Sequence, residues 1–336
     1  RSSNMTLLSN QSLQPAIPYI DASGNTAYCT DYTVLTGSDG DEIIEITQKN
    51  GCDGWYVVTG KVTYSAGLFI EGHNDDVNLI LCDDAELSLS GGYYAFGVNG
   101  YHFNIYGQTN GTGKVVTTNS EYDGIYASVC SGDGYSPTSP GSFTIYGGTI
   151  EATGEYNGIY VYGGAFTING GVIEATGEHG FSTDGDLTIN NGSITATGDY
   201  NGIYAYKCNV TINGGSVIAT ATEKDPLNDD KESIGIIVEG EEGNTNIGSI
   251  TINGGTVKTT GKDIGIYAGS TITISGGNVK ATGGSCGIRN HEGCITISGG
   301  SVTADVVEYG NGISLDDGDV YLGWVHASDR IYVRSS

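Results

Sequence analysis

The sequence predicts an all-β fold, a right-handed parallel β-helix of about ten three-strand coils. Three observations carry that prediction. The first is a recurring unit. GIYVYGGAFTINGGVIEATGEH from Gly158 to His179 is followed by GFSTDGDLTINNGSITATGDYN from Gly180 to Asn201. Gly158, Gly180 and Gly202 fall 22 residues apart, as do Gly265 and Gly287, and longer intervals elsewhere place extra residues between the repeated pieces. A period near twenty residues built from strands is the signature of a solenoid. The second observation is alternation: each unit holds three short runs of period two, as expected for strands with one buried face. The third is composition, since 56 glycines and only 5 prolines suit tight corners, and no window shows a helical apolar period.

The clearest coil shows how each strand earns its place. Ile159 and Val161, Phe166 and Ile168, and Ile173 and Ala175 are expected to point inward, with Tyr160, Thr167 and Glu174 outward between them. Gly163-Gly164, Asn169-Gly170-Gly171 and the Ala-Thr-Gly after the third run supply corners, because Gly and Asn tolerate positive φ. The middle runs repeat as columns: Phe143, Phe166, Leu187, Val210, Ile250, Ile272 and Ile295 in one, Ile145, Ile168, Ile189, Ile212, Ile252, Ile274 and Ile297 beside it. A single coil buries too little to fold alone, so stability has to be collective. The right-handed sense follows from the general preference of parallel crossovers. Coils spaced ~4.8 Å apart give a rod of about 45–50 Å.

The chain divides into four parts. Residues 1–19 are polar and aperiodic, an arm or linker. Residues 20–91 form an N-terminal cap region expected to cover the open end of the stack, with Trp55–Val58 and Val77–Leu81 as its first coil strands. Residues 92–315 are regular repeats, and residues 316–336 form a C-terminal coil that closes on a strand pattern and is expected to continue in the parent protein. The opening RSSNMTLLSN carries no leader pattern and reads as a mature or excised fragment. No apolar run reaches the ~18 residues a membrane span requires.

The stretches YIDASGNTAYCTDYTVLTG, DGWYVVTGKVTY, VNLILCDDAELSL and NIYGQTNGTGKV, the repeated TINGGTV and ATG units, and the final LGWVHASDRIYV occur in this order. Together they resemble the large repeat-built surface proteins of gut-dwelling anaerobic bacteria, some of them described as carbohydrate-binding or adhesin-like β-helix proteins. The likeness covers most of residues 19–333. It implies an extracellular or bacterial cell-surface location, wall-attached or secreted. That family carries no agreed catalytic residues, so none are transferred. The acidic insertions Glu223–Ser233 and Glu239–Asn246 depart from its pattern.

Charge narrows the partners. With 13 Lys and Arg against 39 Asp and Glu, the net charge is −26. That argues against nucleic acid and anionic membrane, whose phosphates call for clustered basic residues. Seven cysteines show no metal-ligand spacing. Cys130 and Cys208 share a column position three coils apart, too far for a disulfide. Cys29, Cys52 and Cys82 crowd the cap region and are candidates for one bridge, and Cys286 and Cys294 for another. An odd count leaves at least one free or intermolecular thiol.

Several constellations are candidates for function. Tyr94, Tyr126, Tyr160, Tyr204 and Tyr267 share the second position of the first strand, and Tyr122, Tyr156 and Tyr200 the turn before it. A stripe of outward phenols offers sugar rings a stacking face and a hydroxyl; it also serves as a surface ladder of tyrosines packing on one another. The stripe breaks at Ser182, Ile237, Arg289 and Ser314, which centres a glycan site on Tyr94–Tyr204, with Tyr156 and Tyr200 beside it. Glu151 and Glu174 stack in adjacent coils, as do Glu155, Glu178 and Asp199. Like charges ~4.8 Å apart need screening or a bridging cation, and calcium suits flexible oxygen ligands; a solvated acidic face is the plainer account. No cofactor is required by any motif.

Polysaccharide lyases and hydrolases also use β-helices, but fold alone assigns no activity. His179 with Asp184 and Asp186 is the nearest approach to a catalytic group, and Asp-Gly-Asp turn chemistry explains the carboxylates. The outward threonines Thr144, Thr167, Thr188, Thr211, Thr251, Thr273 and Thr296, flanked by Asn169, Asn190, Asn213, Asn253 and Ser275, read as β-branched preference and cross-coil bonding rather than an ice-ordering array. The sequence thus predicts a non-enzymatic surface module, a stalk or adhesin with a glycan or host-protein partner along the tyrosines. The alternatives are a structural subunit stacking head to tail through its uncapped C-terminal strand Arg330–Val333 and its N-terminal arm, and a polysaccharide-cleaving enzyme.

Overall fold

The computed structural model describes residues 14–49, 51–131, 139–223, 232–240, 247–307, 310–316 and 319–322. Among these there is no helix, and the coil pairings are parallel. Twelve middle strands, from Thr33–Val34 to Asp319–Leu322, stack into one sheet, where parallel spacing gives a length of about 53 Å. Eleven of them lie from Trp55 onward, close to the ten coils expected. The first and third strands of the coils form a second, folded sheet of twenty strands.

The predicted register holds residue by residue through the middle strands. Phe143, Phe166, Leu187, Val210, Ile250, Ile272 and Ile295 are Cα partners in successive coils, with Thr144 through Thr296 alongside. The apolar columns are fully buried and belong to one continuous core running from Leu35 to Ile313. Phe103, Phe143 and Phe166 stack at 4.6 and 5.0 Å between ring centroids. Beside the threonines an asparagine ladder runs unbroken. Asn190, Asn213 and Asn253 each donate a side-chain amide N–H to the preceding asparagine's Oδ1 at 2.8 Å, and the Ser275 hydroxyl donates to Asn253 at 2.8 Å.

The third corner differs from expectation. Val172–Thr183 and Ser193–Tyr206 run without interruption from the third strand of one coil into the first strand of the next, and the turn is reduced to a register shift between Gly177 and His179. The 22-residue glycines explain how so sharp a bend fits. A Cβ on Gly180 would lie 2.7 Å from the carbonyl oxygen of Gly202 and the amide nitrogen of Thr197 in the next coil, closer than any side chain tolerates. The corner between middle and third strands is a different case: Gly171, Gly215, Gly255, Gly277 and Gly300 all hold φ between 78° and 93°, a left-handed column that favours glycine.

Residues 17–29 correct the cap expectation. Ile17–Ile20 pairs antiparallel with Thr26–Cys29, and this hairpin lies against the flank of the stack. Cys29 and Tyr32 bury the outward Val57 and Ile80 of two middle strands, and Tyr19 packs 5.1 Å from Trp55 and 4.9 Å from Tyr106. Two apolar residues at outward strand positions otherwise filled by polar ones call for such a cover. Ile44 and Ile46 of the first coil stay half-buried against the core. Most of the N-terminal arm, both acidic insertions beyond their ends, and the strand expected at Arg330–Val333 lie outside the described residues.

Candidate functional site

The outward column of the first strands runs Phe69, Gly97, Tyr126, Tyr160, Ser182, Tyr204, Ile237, Tyr267, Arg289 and Ser314. Tyr94 is not in it: its Cα partner is Asp123, and Gly97 faces Tyr126. The Tyr94 ring nevertheless stacks on Tyr126 at 4.2 Å and 10°, over the space Gly97 leaves, because a Cβ there would meet both Phe69 and Tyr94. Tyr126 meets Tyr160 edge-on at 5.7 Å, Tyr93 stacks on Tyr122 at 4.4 Å, and Tyr156 tilts against Tyr122 at 6.2 Å. Burial raises the phenol pKa of Tyr126 and Tyr160 well above the ordinary value. Here ring faces are taken up by other rings, and the surface-ladder account fits this end of the stripe.

Beyond Ser182 the pattern changes. Tyr204 and Tyr267 stand two coils apart with Ile237 between them in register, a separation of about 9.6 Å along the stack. They bound an open groove of about 680 Å³, with Tyr200 and Asn201 also on its lining. On the side away from Ile237, the His179 ring stacks on Tyr204 at 4.9 Å and 19°. The Arg289 guanidinium lies 6.0 Å from the centre of the Tyr267 ring. Each tyrosine is therefore braced from outside the interval that Ile237 floors. Half-buried rings over an aliphatic floor are what a ligand with one apolar face needs.

The groove is acidic. Glu178, Glu232, Glu239 and Glu292 line it. The guanidinium of Arg289 is already engaged, with Nε and Nη2 donating to the Asp316 carboxylate at 2.9–3.1 Å and Nη1 to Glu232 at 2.9 Å. Its pKa is raised, chiefly by the Asp316 hydrogen bonds, so it is no proton acceptor. Burial, then the charge of Glu239 and a hydrogen bond to it, raise the Tyr204 phenol.

The remaining candidates fall elsewhere. Asp184 and Asp186 cap corners: the Asp184 Oδ1 accepts the Gly163 N–H at 2.8 Å, and the Asp186 Oδ1 accepts the Asn209 N–H at 2.8 Å. His179 lies five residues up the strand from Asp184, about 16 Å at strand rise, and stacks in the groove instead. Glu151 and Glu174 are Cα partners as expected, and Lys114 answers the charge of Glu151, with its Nζ 3.4 Å from Glu86 and 3.8 Å from Glu151. Glu178 follows Glu155 by a backbone hydrogen bond of 3.0 Å between their corners. No group of three or more His, Cys, Asp or Glu among the described residues is placed to hold a metal.

Neither expected disulfide forms; all seven cysteines are free. Cys286 turns inward against Ile234 and Ile264, its thiol pushed up to about 11 by burial, while Cys294 opens the next strand around a corner, 4.0 Å from the Thr296 hydroxyl. Cys29 is held in the hairpin cluster, its thiol donating to the Asp31 carbonyl at 3.4 Å; Cys52 is exposed, and Cys82 is half-buried at a later corner.

The sequence placed Tyr200 and Tyr204 among glycan candidates, and the structure brings both to the groove. Ile237, Tyr267 and Arg289 were visible only as a member of the stripe and two of its interruptions. The signal was the interruption itself: a ladder position without an aromatic ring opens space between the rings on either side.

A family model described as a β-helix repeat matches residues 143–165, 166–185, 187–205, 250–270, 272–288 and 295–313. No curated protein matches the chain. Among solved structures, the polysaccharide lyase-like protein from C. thermocellum, determined as a gadolinium derivative, aligns with 90% of this chain and 98% of its own at 16% identity and a TM-score of 0.30. At that score the likeness carries no argument about activity. The repeat matches and the strand register agree on the fold: the chain is an all-β parallel β-helix assembled from β-helix repeats.

Proposed function

We propose that this chain is an extracellular surface module, a β-helical stalk or adhesin segment that binds carbohydrate along its flank. The observation that carries the reading is the pair Tyr204 and Tyr267, each braced on one side and separated by a gap floored by Ile237. Sugars present an apolar C–H face and a hydroxyl rim, which match ring faces and the surrounding carboxylates. A rigid stack suits the role, since the two rings sit on strands locked by the coils to either side. The cleavage alternative draws no support from Asp184 and Asp186, whose oxygens are committed to corner amides, or from Arg289, whose donors are committed to Asp316 and Glu232.

A glycan array probed with the intact chain tests the reading. Tyr204→Ala and Tyr267→Ala should each weaken the best signals by about tenfold, the equivalent of ~1.4 kcal/mol, with melting temperatures close to wild type. Tyr126→Ala should leave binding intact. An array with no signal, or signals that survive both groove substitutions, would contradict the proposal, and shortening of any polymer would turn the case toward an enzyme.

A further inference from the structure

We propose that Tyr93 and Tyr122 form a site of oxidative cross-linking, where a haem-type peroxidase with hydrogen peroxide joins the two rings carbon to carbon as dityrosine and staples adjacent coils. The pair lies at the ladder end of the flank, and its chemistry needs no ligand in the groove.

Tyr94 and Asp123 are Cα partners, so Tyr93 and Tyr122, one residue earlier in each coil, stand side by side at the strand spacing of about 4.8 Å. Their rings stack at 4.4 Å and 17°. Interaction with the Tyr93 hydroxyl is the chief cause of the raised pKa of the Tyr122 phenol. The two oxygens therefore share one edge of the stack, and the ortho carbons beside them do too. Those carbons carry unpaired electron density in a phenoxyl radical, and they are where two such radicals couple.

Tyr93 is 64% exposed and Tyr122 half-buried, so an oxidant from outside reaches the pair. Both residues sit in the bend before the first strand rather than inside it, which leaves the rings room to turn from stacked to joined. Other pairs lack one of these conditions. Tyr94 on Tyr126 and Tyr106 on Tyr146 also stack, at 4.2 and 4.9 Å. Tyr126 and Tyr106, however, are held within strands, and burial raises their phenols, which opposes the proton loss that accompanies oxidation. Tyr156 is 49% exposed but only tilts against Tyr122, at 6.2 Å and 58°.

Hydrogen peroxide, by way of the peroxidase, takes one hydrogen atom from each phenol and becomes two waters. The two phenoxyl radicals pair their electrons in a bond between ortho carbons, and each ring then moves its ortho hydrogen to its oxygen and recovers a phenol. A bond between residues 29 apart in sequence ties one coil to the next. It restricts the unfolded chain as a disulfide does, in a protein whose seven cysteines are all free.

Treatment of the intact chain with a haem peroxidase and hydrogen peroxide is the test, read by dityrosine fluorescence and by tandem mass spectrometry of a digest. The expected product is a monomer lighter by two hydrogens and linked between Tyr93 and Tyr122, in a yield that does not change with protein concentration. It should be lost in Tyr93→Phe and in Tyr122→Phe, which keep the ring stack and remove only a hydroxyl, and kept in Tyr126→Phe. The purified linked chain should melt at a higher temperature than untreated protein. Tyr93→Phe put through the same treatment should not, which separates the staple from oxidation of the exposed Cys52. A link placed mainly at Tyr94–Tyr126 or Tyr122–Tyr156 would overturn the proposal. So would dityrosine found only in intermolecular dimers whose yield climbs with concentration, or no dityrosine at all. A Tyr93–Tyr122 link that leaves the melting temperature unchanged would overturn its role as a staple.

Discussion

Asp123 occupies the corner column that continues through Asn157, His179 and Asn201 and then turns apolar at Ile234, Ile264 and Cys286. It is 7% exposed, and its Oδ1 accepts the Asn157 amide N–H at 2.7 Å. Burial outweighs that hydrogen bond and pushes its pKa up to about 6. An unfolded aspartate releases its proton near ~3.9. The folded chain therefore holds a proton that the unfolded chain has lost between roughly pH 4 and pH 6, and this residue's contribution falls as pH rises through that window. A shift of about two units corresponds to on the order of 3 kcal/mol by pH 7. Asp123→Asn keeps an oxygen for Asn157 and removes the charge. It should raise stability at pH 7 by about 2–3 kcal/mol and change little at pH 4, read by urea melts of both proteins at the two values. A variant less stable at pH 7, or shifted equally at both, would show that the carboxylate is not under this strain. Nothing in the sequence marked Asp123 as inward, because Asp-Gly at the head of a repeat carries the same letters as an exposed turn.

At the scale of the strand, the middle runs make the sharpest demand on register. Thr167 faces out between Thr144 and Thr188, while Ile168 is fully buried between Ile145 and Ile189. Thr167→Leu should shift stability by less than about 1 kcal/mol, whereas Ile168→Asp buries an unpaired charge and should abolish the cooperative transition. Circular dichroism melts of the two variants decide it, and equal behaviour would mean the strand is read one residue out of phase. These strands were legible because period-two alternation and a fixed repeat act on the same residues, so a slip by one would expose a whole column. The hairpin was less so. IPYI and TAYC are short, and their role depends on Val57 and Ile80, whose outward placement is fixed only once the coils are stacked. The disulfides failed for a similar reason. Cys286 and Cys294 are close in sequence, but a corner separates them and the inward one is packed among isoleucines. Tyr94 was misplaced because the repeat slips locally, and a glycine at 97 lets its ring reach the column without its backbone being there.

The whole molecule is a quasi-one-dimensional stack in which each coil depends on its neighbours. A surface feature of such a stack is a column, and the groove lies where the tyrosine column is interrupted. Along the first-strand flank, rings stack closely from Tyr94 to Tyr160, a serine intervenes, and the column resumes as tyrosine, isoleucine, tyrosine and arginine. The stripe was readable from the repeat phase alone, but ring stacking separates the part that is ladder from the part that is groove. Hydrogen–deuterium exchange with and without the strongest-binding glycan of the array tests this most directly, since it locates binding on the stack without a substitution. Protection should appear in Ser193–Tyr206, Ile234–Glu239 and Ile264–Ala268, the strands that carry Tyr204, Ile237 and Tyr267, with Tyr94–Gly100 and Asp123–Ser131 unchanged. Protection confined to those last two strands would place the site on the tyrosine ladder and contradict the groove.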